Sequence, residues 1–316
     1  MITAKEIEND LYHYTNEVGL MGILNSQSLW STHYTNLNDD EEIIKFKKPL
    51  SKAIINKLND SFNRKDKRSL SKQHNTPFET IVSEETKDII DILYNNMQDK
   101  FFITSFCTHS DEYTRKNGLL SQWRGYGKEA GYALILDKEK LKELCVKEEN
   151  MFNYGGIFLK DTIYEGTEKD YPEFEKGVRN IVEFAITNII IGEKTEATET
   201  FPALVELTGR YKHQAFEEEK EIRLFSYFMD LKEEYKKIRE ENGEVIKPQK
   251  PIIENITKSR IVLFDNLNEK LPIKEIIVGP HQNKEPYKKE LKKILRSKSL
   301  NIPVTISETP YVPQNH

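Results

Sequence analysis

Five short segments limit what this chain can become: Leu11–Thr15, Phe101–Cys107, Gly131–Leu136, Glu219–Tyr227 and Ile273–Val278. Each is rich in aromatic or branched residues and bounded by polar or turn-forming ones, which is the pattern of a strand. Helical stretches lie between them, over about 78–98, 171–192 and 284–297, but without the regular alternation of a doubly wound sheet. That mixture predicts an α+β fold with a split, mostly antiparallel sheet and surrounding helices. The strands at 11–15, 101–107 and 219–227 are expected in one core.

The 316 residues are read as one domain, 1–316. Residues 59–77 are polar and carry Arg64, Lys65, Lys67 and Arg68, so they read as a loop whose basic cluster could touch RNA or DNA. Residues 108–118 also read as a polar loop, and 228–256 as a charged, exposed segment with a turn at Gly243. Thr15 or Asn16 can cap a helix carrying Val18, Met21 and Leu24. Further strands are expected at 28–34, 157–164, 260–264 and 302–306.

Composition excludes several classes. With 15 Tyr, 15 Phe and 2 Trp there is enough bulk for a core, so general disorder is excluded. No run of eighteen apolar residues and no apolar leader is present, so neither a membrane span nor a signal peptide is expected. The two cysteines, Cys107 and Cys145, make no disulfide framework, which points to the cytosol. The seven histidines form no helical pair and no HExxH, so no metal is expected. A net charge of -5 argues against unspecific DNA binding as the main activity.

Several groups of residues can carry chemistry. In the first strand, Leu11, His13 and Thr15 share one face, and Tyr12 and Tyr14 the other. His13 can hold a ribose hydroxyl, or it is satisfied in the core. If the strand begins at 219, Glu219, Glu221 and Arg223 share a face. A carboxylate there can stabilise a sugar cation and Arg223 can fork onto a carboxylate or phosphate; the competing reading is a salt-bridge ladder. Trp123 and Tyr126, three apart, can form a stacking platform or simply anchor the core. The GYGKEAG run lacks the spacing of a Rossmann or P-loop motif. Asn36–Glu42 reads as a capping turn rather than a cation site.

Taken in order, LYHYT, NDDEE, FITSFCT, QWRGYG with GYALILD, FEEEKEIRLF, IKEIIVGP and SETPY resemble the bacterial domain of unknown function 2971 family, over about residues 11–311. Asp40 stands where that family usually has Pro, and Phe216 where Trp is common. The family layout is similar to a divergent ADP-ribosyltransferase fold. The resemblance implies NAD as substrate, without a metal, and His13 as the ribose-binding residue. It further implies that Ser105-Phe106-Cys107 takes the place of a Ser-x-Ser segment and Glu219-Lys220-Glu221 that of a Glu-x-Glu. Glu221 is then the catalytic carboxylate and Glu219 its neighbour. Tyr14, Trp123 and Arg223 join the NAD site, and Tyr34 and Tyr126 compete as the tyrosine that stacks nicotinamide. The acceptor is left open between water, protein and nucleic acid, and family association implies a toxic effector in phage defence. Two other readings stay open: a non-catalytic nucleotide- or protein-binding sensor, and a metal-dependent nucleic-acid-processing enzyme using Glu219, Glu221 and Asp39.

Overall fold

The computed structural model describes residues 10–37, 43–95, 97, 100–126, 131–191, 200–228, 241–243, 245–254 and 259–311. Among these the strands are β1 (Asp10–Asn16), β2 (Leu29–His33), β3 (Phe101–Cys107), β4 (Gly131–Asp137), β5 (Tyr154–Asp161), β6 (Ile163–Tyr164), β7 (Tyr211–Lys212), β8 (Glu221–Phe228), β9 (Ile253–Glu254), β10 (Ser259–Leu263), β11 (Ile273–Val278) and β12 (Val304–Ile306). The chain divides into two compact units, 1–33 with 102–161 and 216–316, and 34–101 with 162–215, where the sequence reading has one domain over 1–316.

The first unit is built on the sheet, in the order β12-β11-β4-β1-β3-β2-β10-β9, with β8 joining β3 to β5. The pairs β1–β3, β1–β4, β2–β3, β2–β10, β9–β10, β4–β11 and β5–β8 are antiparallel, and β11–β12 is parallel. β3 is the point of divergence: its end meets β1 through Tyr12↔Cys107, while its start meets β2 through Phe102 and Ile103. The expected α+β class, with a mostly antiparallel sheet among helices, holds, and β1, β3 and β8 do share one sheet.

β4 is apolar along its length because both of its faces are covered. Leu134 and Leu136 face the main core with Leu11, Ile276 and Val278. Ala133 and Ile135 face a smaller cluster with Tyr12, Tyr14, Cys107, Trp123 and Ile277. Helices close the main core: α1 (Glu17–Ser26), α7 (Lys138–Met151) and α10 (Lys284–Ser297), the last through Leu291 and Leu295, one turn apart. Asn16 caps α1 by accepting from Gly19 N at 2.9 Å. The buried stripe of that helix is Leu20, Ile23 and Leu24, and Val18 is exposed, so the expected Val18-Met21-Leu24 row is one position out of register.

The second unit is helical, with α2 (Lys47–Ser61), α3 (Arg64–His74), α4 (Phe78–Asn95), α8 (Pro172–Ile191), α9 (Phe201–Arg210) and the parallel ribbon β6–β7. Leu50, Ile54 and Leu58 form the buried row of α2. Arg210 is buried and satisfied by Glu173 and Glu206, both at 3.0 Å.

Both expected polar loops contain helices. Residues 64–74 form α3: Asn63 accepts from Lys65 N and Asp66 N, and Lys, Arg and Gln are good helix formers. Residues 112–117 form α5 (Glu112–Asn117), started by Asp111 accepting from Thr114 N at 2.8 Å. The strand expected at 157–164 is two strands, broken at Thr162. Most of the 228–256 segment, residues 229–240, 244 and 255–256, lies outside the described residues, as does Asn38–Glu42, including Asp39.

Candidate functional site

The sequence around β8 sets the geometry of the carboxylates. A 3₁₀ turn, Gln214–Glu219, leads into Lys220, whose φ of 43° is left-handed for a residue with a side chain. The Lys220 carbonyl accepts from Thr108 N at 3.0 Å and from Thr108 Oγ1 at 3.2 Å, which holds that turn in place. β8 starts only at Glu221. Glu219 therefore sits half-buried in the turn and does not share a strand face with Glu221, contrary to the expectation; the left-handed Lys220 breaks the alternation.

Beyond that break the alternation is regular. Ile222 and Leu224 enter the main core, so Glu221 and Arg223 face the other side. They form an ion pair, Arg223 Nε to Glu221 Oε2 at 3.2 Å, with side chains 1% and 3% exposed. Leu11 of β1 and Phe106 of β3 also enter the main core. Hence Tyr12, Tyr14, Ser105 and Cys107 lie on the same face as Glu221 and Arg223, on adjacent strands.

That face is walled by a hydrogen-bonded aromatic cluster. The Tyr14 hydroxyl accepts from Leu119 N at 2.8 Å, which leaves its proton for His109 Nε2 at 2.7 Å. His109 is thus held neutral, and burial lowers its pKa to about 4, against an opposing pull from Asp111. Tyr12 lies 4.4 Å from the His109 ring and donates to Arg115 O at 3.2 Å. Burial pushes the Tyr14 hydroxyl well above its ordinary range, so it stays protonated.

Trp123 anchors the wall. On α6 (Leu120–Tyr126) it is 1% exposed, edge-on to Tyr14 at 4.8 Å, and donates from Nε1 to Asn117 O at 2.9 Å. Gly118, at φ 74°, passes so close that a Cβ would lie 2.4 Å from the indole. The final segment ties down the same turn, with Ser307 Oγ donating to Asn117 O and Glu308 N to Asn117 Oδ1, both at 2.6 Å.

The expected site residues are thus partly assembled. Tyr14, Ser105, Glu221 and Arg223 come to one face, joined by Cys107, which pairs with Tyr12 across the strands. His13 does not. It shares the core side of β1 with Leu11, lies 5.6 Å from the Phe106 ring and donates from Nδ1 to Ser105 O at 3.1 Å, with its pKa lowered by burial. Thus His13 and Glu221 sit on opposite faces of the sheet, and His13 does not join the carboxylate as the ribose-binding residue that the resemblance implies. Trp123 and Tyr126 make no joint platform, because Trp123 is buried while Tyr126 is 45% exposed at the helix end. Tyr34 begins the second unit and is half-buried there. His109 escaped the sequence reading; its only signal was a His two residues past an apolar strand.

An α+β protein with an antiparallel sheet and a buried polar face is what the fold defines. Residues 122–224, from α6 into β8, match the model of a family described as protein of unknown function (DUF2971), which supports the family resemblance over that segment. The comparisons with curated proteins and with solved structures found no match. Among the described residues no three His, Cys, Asp or Glu are grouped to hold a metal, and no helix is long and apolar enough to cross a membrane.

Proposed function

We propose that the protein is a cytosolic, ADP-ribosyltransferase-like enzyme that breaks the nicotinamide–ribose bond of NAD, with Glu221 as its catalytic carboxylate. The observation that carries this reading is that Glu221, paired with Arg223 and entered through the left-handed Lys220, stands on the sheet face that also bears Tyr12, Tyr14 and Ser105. Backbone strain of this kind costs about 1–3 kcal/mol, and such strain clusters at functional sites. It aims Glu221 onto the face that also bears Tyr12, Tyr14, Ser105 and Arg223. Cleavage of the glycosidic bond develops positive charge on the ribose, which a fixed carboxylate stabilises, and the same carboxylate accepts from the 2′-hydroxyl. Arg223, with its Nε 3.2 Å from Oε2, offsets the buried charge of that carboxylate. Nicotinamide leaves with the bonding electrons, and the acceptor, water or a macromolecular nucleophile, takes the ribose carbon. His13, on the opposite face of the sheet, takes no part, and Tyr14 with its partner His109 is the polar pair on the face of the carboxylate. A toxic effector role in phage defence follows if NAD is consumed faster than it is made.

One observation favours a second reading. Glu221 and Arg223 are nearly closed to solvent, as expected of a binding protein whose polar face is structural. The two separate by assay: nicotinamide release from NAD by the full chain supports the enzyme, and binding of NAD without release supports the sensor. Neither binding nor release removes NAD from the account.

A further inference from the structure

Helix α3 buries none of its side chains. A helix that contributes nothing to a core is held by its cap and its few inward contacts. Those contacts fall on one side: Lys67 Nζ reaches Asn59 Oδ1 at 3.4 Å and lies 5.2 Å over the Phe78 ring. At about 100° per residue, Arg64, Arg68, Lys72, Lys65 and Ser69 fall on the opposite side, within roughly 140° of one another. These five line a surface hollow of about 460 Å³. Among the described residues none of the four cations makes an ion pair or side-chain hydrogen bond, in a chain whose net charge is -5. Like charges one turn apart repel, so the row destabilises its own helix until an anion arrives.

We propose that this face of α3 binds the phosphodiester backbone of a nucleic acid. Arg64, Arg68 and Lys72 rise by about 6 Å per step along the axis, close to the reach between successive phosphates of an extended strand, and the row spans about 12 Å, too long for one phosphate group. A membrane surface fits less well, because the only apolar residue of α3, Leu70, is half-buried and gives nothing to insert. The charge of α10 is of another kind: Glu285 and Glu290 interrupt its lysines, and Leu291 and Leu295 give it a place in the core.

The test is fluorescence anisotropy of labelled rU20, dT20 and a 20-base-pair duplex with the full chain, between 50 and 200 mM KCl. Four phosphate contacts predict a slope of log K against log salt of about -3 on single strands and nearer -4 on duplex. Arg64→Gln/Arg68→Gln/Lys72→Gln keeps helix propensity and should weaken binding at 50 mM at least about tenfold and flatten the slope by about 2. Lys288→Gln/Lys289→Gln/Lys292→Gln on α10 removes the same charge and should leave binding within about twofold. Three results overturn the proposal: no binding at 50 mM, equal loss from both triple variants, or binding confined to anionic phosphatidylserine vesicles.

Discussion

Two carboxylates of the first unit are withdrawn from water, and their surroundings differ. Glu148, on α7, is fully buried. It accepts from Tyr154 Oη at 3.1 Å and Phe264 N at 3.1 Å and pairs with Lys250 Nζ at 2.8 Å; Lys250 also meets Asp265 at 2.5 Å and covers the Phe152 ring at 4.3 Å. Phe264 is left-handed too, with φ 71°, and its strain serves to point an N–H at Glu148. The Glu148 cluster thus ties together α7, β5 and the end of β10. Glu221 has the same charge, similar burial and a strained neighbour. Its carboxylate, however, lies on the face carrying the Tyr12, Tyr14 and His109 wall, and Lys220 is held by Thr108 rather than by the carboxylate. Burial and strain alone therefore do not mark a catalytic group. What separates the two is whether the strain points a donor at the carboxylate or aims the carboxylate itself.

The comparison breaks most visibly at Glu148. Glu148→Ala leaves the buried Lys250 with the exposed Asp265 in place of a buried partner and should cost about 3–5 kcal/mol, read as a lower urea midpoint. An unchanged midpoint would show that the cluster ties nothing together.

The polar wall should show itself in acid. His109 is neutral and buried, so its pKa of about 4 lies below the unfolded value near 6.5. The unfolded chain then binds the extra proton first. Stability from this group is fully present above about pH 6.5 and is lost as pH falls toward 4, to a total of about 3 kcal/mol. Urea titrations at several pH values should give a shallower acid slope for His109→Gln than for the wild type. Equal slopes would mean that His109 titrates as an exposed residue.

A smaller effect is expected at Tyr14. Tyr14→Phe removes the acceptor of Leu119 N–H and the donor to His109 Nε2, at a cost of about 2 kcal/mol, and should shift the His109 titration followed by NMR. A variant as stable as the wild type, with His109 unmoved, would dissolve the wall as a unit.

Much of this scaffold was legible. Phe101–Cys107, Ile273–Val278 and Lys284–Ser297 fall where apolar runs and one-turn spacing place them. Helices at 47–61, 138–151 and 201–210 were not anticipated, because their charged residues dilute the apolar rows of α2 and α7. The site was legible in its residues and not in its assembly. Alternation puts His13 and Tyr14 on opposite faces of β1 from sequence alone, but which of them joins Glu221 depends on pairing through β3. The Glu219 error has one cause: nothing in Glu-Lys-Glu announces a left-handed lysine.

If the charge of Glu221 acts on a sugar cation, as proposed, its removal must show in turnover per folded molecule. Nicotinamide release from NAD should be measured for wild type, Glu221→Gln and Glu221→Asp, with the folded fraction of each determined in parallel. Both substitutions disturb the pair with Arg223, so both should cost stability, about 1–3 kcal/mol. Only Gln removes the charge, and losing such a contact raises the barrier by about 3–4 kcal/mol. Release should fall about two to three orders of magnitude below wild type for Glu221→Gln, with Glu221→Asp retaining much more. Wild-type turnover in folded Glu221→Gln, or an equal fall in both variants, would contradict it.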